Sequence, residues 1–368
     1  MAARGQGGGG WRCGRGARSI RSSAPAGRRG SGRVSAVQET GVGFTGADVA
    51  VIVVAYRAGT YLFDCVQALK AETDPSAEIV LVDNGGLADE VEEVAARFSP
   101  VTVLKSGRNL GFAGGVNLGM RWLLGRDGRG PRVVALVNQD CVVRPGWLAP
   151  LVAALLEPGK RVAVAGATLF DARGLLIQHA GGVVHVNGLT DHMGRGRGAN
   201  EAGKLQARDV DYVTGALCAL SVDAWSQLGP MDEGYHPVYF EEVDYCVRAR
   251  EQGYRVVYVP ASEGLHEEAA SSGAGSRLYL DRYHRGRVRF AFLHLLGRGR
   301  RLGFIAAELK WLASLRSREQ LLSALGAWLA CLRGDVSAGR QKAAAGTPSH
   351  MLTAAVRPGF KGPGRHGR

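Results

Sequence analysis

From Ala47 onward, short apolar runs alternate with segments whose apolar residues recur every three to four positions. Residues 49–55, 79–82, 101–104 and 133–137 are runs of four to seven residues rich in β-branched side chains, the pattern of strands buried on both faces. The segments that follow them, 61–70, 87–98, 112–124 and 147–156, carry helical spacing, as in Leu62, Val66 and Leu69. Alternating β and α elements predict an α/β domain with a mostly parallel sheet covered on both sides. A polar cluster follows each strand: Tyr56-Arg57, Asp83-Asn84-Gly85-Gly86, Arg108-Asn109 and Asn138-Gln139-Asp140. In a parallel sheet these are carboxyl ends, where the ligand crevice opens. The four clusters are therefore predicted to share one rim.

The pattern weakens over 162–210 into short strands and a Gly/Arg loop, with Arg195 and Arg197 inside 194–198. That loop reads equally as a lid or as a surface excursion. Order returns at 212–220, followed by a helix near 222–227, a turn at Gly229-Pro230-Met231-Asp232, a charged helix over 242–252, and a last strand at 255–259 ended by Pro260. Residues 277–333 read as helices with apolar stripes and many arginines. No uncharged apolar run reaches the roughly 18 residues that a membrane-spanning helix needs.

Charge changes the picture once it is divided along the chain. The net charge is +13, but residues 1–40 hold 8 basic and 1 acidic residue, and 336–368 hold 6 basic and none acidic. Residues 277–335 add 12 basic against 4 acidic, which leaves 41–276 at −8. An acidic body with basic flanks argues against a reader of nucleic-acid backbone and suits a site that collects divalent cations. The expected organisation is a disordered basic leader over 1–46, a catalytic domain over 47–276, a basic amphipathic helical region over 277–335 and a disordered tail over 336–368. Six cysteines without CxxC spacing suggest reduced thiols and no zinc site.

Three groups of residues could carry chemistry. Asp140 at a strand end, with Asn138 two positions earlier, offers oxygen ligands of the kind Mg²⁺ or Mn²⁺ prefers. In Glu241-Glu242-Val243-Asp244, helical spacing puts Glu241 and Asp244 on one face, and a carboxylate base aimed into the crevice is the functional reading. His266, beyond the strand at 255–259, could complete a metal site. The string from His266 to Ala270 lacks the second histidine of a zincin, and the Gly-rich stretch 41–46 precedes the first strand, so it is no dinucleotide loop.

Taken in order, these segments resemble the inverting family 2 glycosyltransferases of the GT-A fold, particularly the bacterial rhamnosyltransferase-like branch. The likeness runs from about Val49 to His266 through Val82-Asp83-Asn84, Asn109-Leu110-Gly111-Phe112-Ala113-Gly114-Gly115-Val116-Asn117, Leu136-Val137-Asn138-Gln139-Asp140, Val213-Thr214-Gly215-Ala216, Glu241-Glu242-Val243-Asp244 with Cys246 and Arg248, and Val259-Pro260. It implies a Rossmann-like sheet and a nucleoside-diphosphate sugar donor. Tyr56 and Asp83 would border the nucleoside, with Arg57, Asn84, Asn109, Asn117, Asn138 and Glu241 completing the donor pocket. Asp140, Asn138 and His266 would hold Mg²⁺ or Mn²⁺, Glu242 would be the general base, and Asp244 a supporting acid. Many relatives carry Asn where Ala55 and Arg57 stand, and Glu-Asp where this chain has Glu241-Glu242. The resemblance also implies a glycan or polyprenyl-linked acceptor.

Arginines 277, 282, 285, 287, 289, 298, 300 and 301, interleaved with Leu278, Tyr279, Leu280, Phe290 and Phe292, suit a helix lying on an anionic bilayer. Helices packed on the catalytic domain remain the other reading of this stretch. The chain is therefore expected on the cytoplasmic face of a membrane, without a nucleic-acid partner. Three readings compete with sugar transfer: a nucleotidyltransferase on a similar sheet, a basic nucleic-acid-binding or scaffold protein, and a transferase-like chain without activity.

Overall fold

The computed structural model describes residues 44–57, 59–85, 88–126, 130–267, 276–297, 299 and 301–334. The expected leader up to residue 43, the tail from 335, Arg298 and Arg300 lie outside these. The first half alternates as its pattern requires: β1 (Val49–Ala55), α1 (Tyr61–Glu72), β2 (Glu78–Asp83), α2 (Ala88–Arg97), β3 (Thr102–Lys105), α3 (Gly111–Leu124) and β4 (Val133–Asn138). These four strands are parallel, in the order β3-β2-β1-β4. Alternate residues face opposite layers. Val49, Val51 and Val53 pack with Leu62, Val66 and Leu69 of α1, whereas Ala50 and Ile52 pack with Val116 and Met120 of α3. Helix α3 lies close on β1 because it carries glycines there: a Cβ on Gly115 would meet Val54 Cγ1 at 2.6 Å, and one on Gly119 would meet Ile52 Cδ1 at 2.8 Å.

The second half adds β5 (Cys141–Val143), α4 (Leu148–Leu156), β6 (Val162–Asp171), β7 (Ile177–His179), β8 (Gly182–Val184), β9 (Thr190–His192), β10 (Arg208–Asp209), β11 (Leu217–Ser221), α5 (Val222–Leu228), α6 (Glu241–Glu251) and β12 (Arg255–His266). The sheet continues from β4 through β11, β6 and β12 to β10. Here it becomes mixed, because β11 runs antiparallel to both β4 and β6 while β6 and β12 are parallel. The strand expected to stop at Pro260 continues to His266. The register against β6 breaks between Tyr258 and Glu263, so the missing N–H of Pro260 falls within an irregularity where no ladder bond is required. The 194–198 loop is no free excursion: Ile177 donates to Arg197 O and Gly196 donates to Ile177 O, 2.8 and 2.9 Å, which pins it to β7.

Three helices follow, α7 (Arg277–Phe290), α8 (Arg301–Ser314) and α9 (Arg318–Leu332), with a π-helical turn at Ala291–Leu295. Two arginines expected on a bilayer are instead internal. Arg287, fully buried, makes a bidentate pair with Glu308 of α8 at 2.7 Å and donates to Asn187 O at 3.0 Å. Arg289, 1% exposed, pairs with Asp232 at 2.6 Å. Buried guanidinium groups require such partners. Among the described residues no helix is long and apolar enough to cross a membrane, and Cys65, Cys141, Cys218, Cys246 and Cys331 are free.

Candidate active site

Strand register builds the rim. Ala55 lies opposite Asp83, Asp83 opposite Lys105, and Val54 opposite Asn138, so the carboxyl ends of the parallel strands are level, as the polar clusters implied. Gln139 staples two of them: its amide accepts from Tyr56 N at 2.6 Å and donates to Tyr56 O at 2.8 Å. That fixes the backbone beside Arg57, which sits at φ 52° with its guanidinium 5.2 Å from the Tyr56 ring centroid.

Beyond β4 a cavity opens that gathers Asn138, Asp140, Glu241, Glu242 and His266. The pairing of β12 with β5 places His266 opposite Cys141, and thereby brings its Nε2 to 3.4 Å from Asp140 Oδ1. Gln178 of β7, which sequence reasoning missed, settles the imidazole. Its amide nitrogen donates to His266 O at 3.1 Å, so its oxygen faces His266 Nδ1 at 2.9 Å. Nδ1 is then the donor, and Nε2 faces the Asp140 carboxylate. An imidazole nitrogen and a carboxylate oxygen placed in this way are a fitting pair of ligands for a shared cation, with Gln178 orienting one of them. Asn138 presents its amide nitrogen to His266 Nε2 at 3.5 Å. The atom it offers there is a donor. Among the described residues no three His, Cys, Asp or Glu side chains gather as a metal cage, so a cation here would draw further ligands from a substrate.

The other wall is the start of α6. Tyr239 and Phe240 both adopt left-handed backbone, φ 82° and 79°, and successive N–H groups in such a turn converge on an anion. Burial pushes the Glu242 carboxyl up to about 7, against the opposing pull of the Glu242, Val243 and Phe240 N–H groups. Burial, then the neighbouring Glu242, holds Glu241 well above the ordinary carboxylate range. Oε2 of each is buried without a protein partner. Asp244 does not join them. It is fully buried, and accepts from Arg248 Nε at 2.8 Å and His294 Nε2 at 2.7 Å. Burial alone would raise its carboxyl, but the His294 hydrogen bond and the Arg248 charge outweigh that and hold it below its ordinary range. The expected sharing of a face by Glu241 and Asp244 thus gives way to a cavity-facing pair, Glu241 and Glu242. Asp244 ties α6 to the C-terminal segment instead.

Several expected donor-pocket residues are also committed elsewhere. Asn84 donates to Gly111 O at 3.0 Å and accepts from Leu110 N at 2.9 Å, while Asn109 Oδ1 accepts from Gly111 N at 2.8 Å. Together they shape the turn into α3. Asp83 accepts from Gly85 N at 3.0 Å. Asn117, 1% exposed, spends its whole amide on Met231 N, Met231 O and Glu233 Oε1 at 2.9–3.0 Å. Replacing Asn117 with Ala is therefore expected to cost about 2 kcal/mol of unfolding free energy by denaturant titration, since it orphans buried groups of Met231, while donor affinity stays unchanged.

The remaining wall includes His179, His192 and Tyr283, which sequence reasoning did not single out. His179 Nε2 accepts from Thr214 N at 3.3 Å, so its Nδ1 donates to His192 Nδ1 at 2.9 Å. Burial, followed by the nearby His192, keeps His179 well below its ordinary pKa and hence neutral. Tyr279 and Tyr283 of α7 close the cavity, and Tyr283 Oη accepts from Thr190 N at 3.1 Å.

Residues 50–211 match the Glycosyl transferase family 2 model. This chain carries a family 2 glycosyltransferase domain. Its relatives include the N-acetylglucosaminyl-diphospho-decaprenol L-rhamnosyltransferase of Mycobacterium tuberculosis, 28% identical over 292 residues, which are 74% of this chain and 92% of that protein. An uncharacterized protein of Sinorhizobium fredii is 32% identical over 205 residues, 53% of this chain; the match spans only 22% of that protein's length. Among solved structures, GalNAc-T7 with UDP, GalNAc and Mn²⁺ superposes with a TM-score of 0.55 at 18% identity, over 76% of this chain and 54% of that one. The fold of the transferase domain is thus the GT-A fold.

Proposed function

We propose that this family 2 transferase moves a hexose, rhamnose or a related sugar, from a nucleoside-diphosphate donor to a hydroxyl of a glycan or polyprenyl-linked acceptor, with inversion, in the synthesis of a cell-surface polysaccharide. The observation that carries the reading is a carboxylate tuned to about 7 in one cavity with the Asp140–His266 pair. Glu242 takes the acceptor proton as the hydroxyl oxygen attacks the anomeric carbon. The bond to the leaving diphosphate breaks on the opposite side, so no covalent nucleophile is needed. Asp140 and His266 would hold Mg²⁺ or Mn²⁺, which when bound offsets charge on the leaving diphosphate, and the Asn138 amide would donate to a phosphate oxygen. Tyr56, Arg57 and Asp83 border the nucleoside; Tyr279 and Tyr283 wall the acceptor side. The named activity of the mycobacterial relative supports a lipid-linked acceptor, and with it a place at the inner face of the cell membrane.

Calorimetric titration of UDP, dTDP and GDP into the full chain, with and without Mn²⁺, tests this. One nucleotide is expected to bind in a metal-dependent way, and Asp140→Ala should abolish the metal-dependent part. Gln178→Leu should raise the Mn²⁺ concentration required by about 10–100-fold, the usual cost of losing a group that orients a ligand histidine. Metal-independent binding, or none, would overturn the donor reading.

A further inference from the structure

Burial of Arg287 and Arg289 removes much of the charge that a bilayer-facing α7 would need, yet the segment exposes a different surface. On α8, Leu302, Ile305 and Leu309 stand on one side, with Leu302 83% exposed and Leu309 62%. On α9, Leu322, Leu325, Leu329 and Leu332 repeat at helical spacing, all exposed, Leu332 at 79%. Val186, in the turn between β8 and β9, is 61% exposed and lies beside α8, where a Cβ on Gly303 would sit 3.9 Å from its Cγ1. Large apolar side chains exposed in this way mark an interaction surface.

We propose that this leucine face of α8 and α9 lies in the interface of an anionic bilayer. Charge selects the occupant. The exposed ionic residues of the two helices and their connection are Arg301, Lys310, Arg316, Arg318 and Arg333 against Glu319 alone. A second copy would set two such basic rims against each other, and residues 336–368, with six basic and no acidic residues, are repelled by the rim and drawn to the same anionic surface. A bilayer with acidic headgroups accepts both the leucines and the rim. At about 1.5 Å per residue the 15-residue α9 is shorter than the roughly 30 Å apolar core, so it lies in the interface and does not span it. On its buried side, α9 is tied to α7 by Ser323, which donates to Asp281 at 2.7 Å.

This placement deepens the lipid-linked-acceptor reading and rests on it for its purpose, but its test needs neither donor nor acceptor. The full chain is floated with vesicles of phosphatidylcholine, with and without phosphatidylglycerol, beside the variant Leu309→Ser/Leu325→Ser/Leu329→Ser. The substituted positions are exposed, and matching circular dichroism and Tm confirm that the variant folds. The native chain should float with the anionic vesicles, and the variant should partition at least about tenfold less, given the apolar area removed. Equal flotation of the two, or no flotation of the native chain, overturns the proposal. A dimer in solution that the variant converts to monomer, with neither chain floating, assigns the face to a second copy and overturns it as well. Nucleotide titration of the same variant keeps the two readings separate, since donor binding should be unchanged whichever way the vesicles behave.

Discussion

Glu242→Gln is expected to lower turnover by about 10²–10⁴-fold, the usual contribution of a positioned base, with donor affinity little altered. The same substitution should stabilise the fold. A carboxyl held at about 7 when folded, against an ordinary 4.5, releases its proton more readily from the unfolded chain. The native protein therefore loses stability as pH rises from about 4.5 to about 7 and no further above that. The Tm advantage of the Gln variant should grow over that window and then level off. In the native enzyme, the rate should climb with pH through about 7 and be roughly tenfold below its plateau one unit lower. An unchanged rate in the Gln variant would remove Glu242 from the mechanism.

Glu308→Ala should destabilise the protein by about 3–5 kcal/mol, the cost of stranding a buried charge. Glu308 is the carboxylate partner of the fully buried Arg287, and it also accepts from Asn187 Nδ2 at 3.0 Å and Trp328 Nε1 at 3.0 Å. Its removal loosens α8, α9 and the turn before β9 together. Denaturant melts of Glu308→Ala should show this loss. The double variant Arg287→Met/Glu308→Leu should recover most of it, because the isolated charge is gone. A cost below about 1 kcal/mol for the single variant would place the pair among exposed ion pairs. On the same reasoning, a chain ended at residue 276 would not fold as an independent catalytic domain. It would lack Arg289 against Asp232, His294 against Asp244, and both cavity tyrosines.

What could be read along the chain was whatever local pattern encodes. The β-branched runs and the polar residues that end them determine β1 to β4 and their shared rim, because a buried parallel strand needs an apolar run and its carboxyl end meets solvent. The Asp140–His266 pair depends on contact between residues 126 positions apart (266 − 140); no periodicity carries such a contact. Gln178 lies on a three-residue strand, too short for alternation to register. The arginines of α7 misled for a different reason. Composition reports how many charges a helix has, and the location of Glu308 and Asp232 decides which of them face inward. Tyr279 and Tyr283, four apart on one helical face, share the spacing of a membrane stripe and that of a cavity wall. Asn84, Asn109 and Asn117 stand where ligand contacts were expected, yet their amides hold turns, a role these short polar side chains fill equally well.

The antiparallel insertion of β11 between β4 and β6 also bears on how the molecule is made. During synthesis, β1, β2 and β3 can pair as they emerge, and β4 then returns to the other side of β1. The β4–β11–β6 ladder must wait for residues 217–221, α6 and β12 add the base and His266 later still, and Arg287 remains without its carboxylate until residue 308 has left the ribosome. Non-local pairings of this kind are slow to form, and a nascent chain exposes its apolar edges in the meantime. The catalytic cavity is therefore complete only after α6, β12 and α7 have been made. A ribosome stalled before residue 217 would present a half-sheet whose β4 edge is open to the wrong partner.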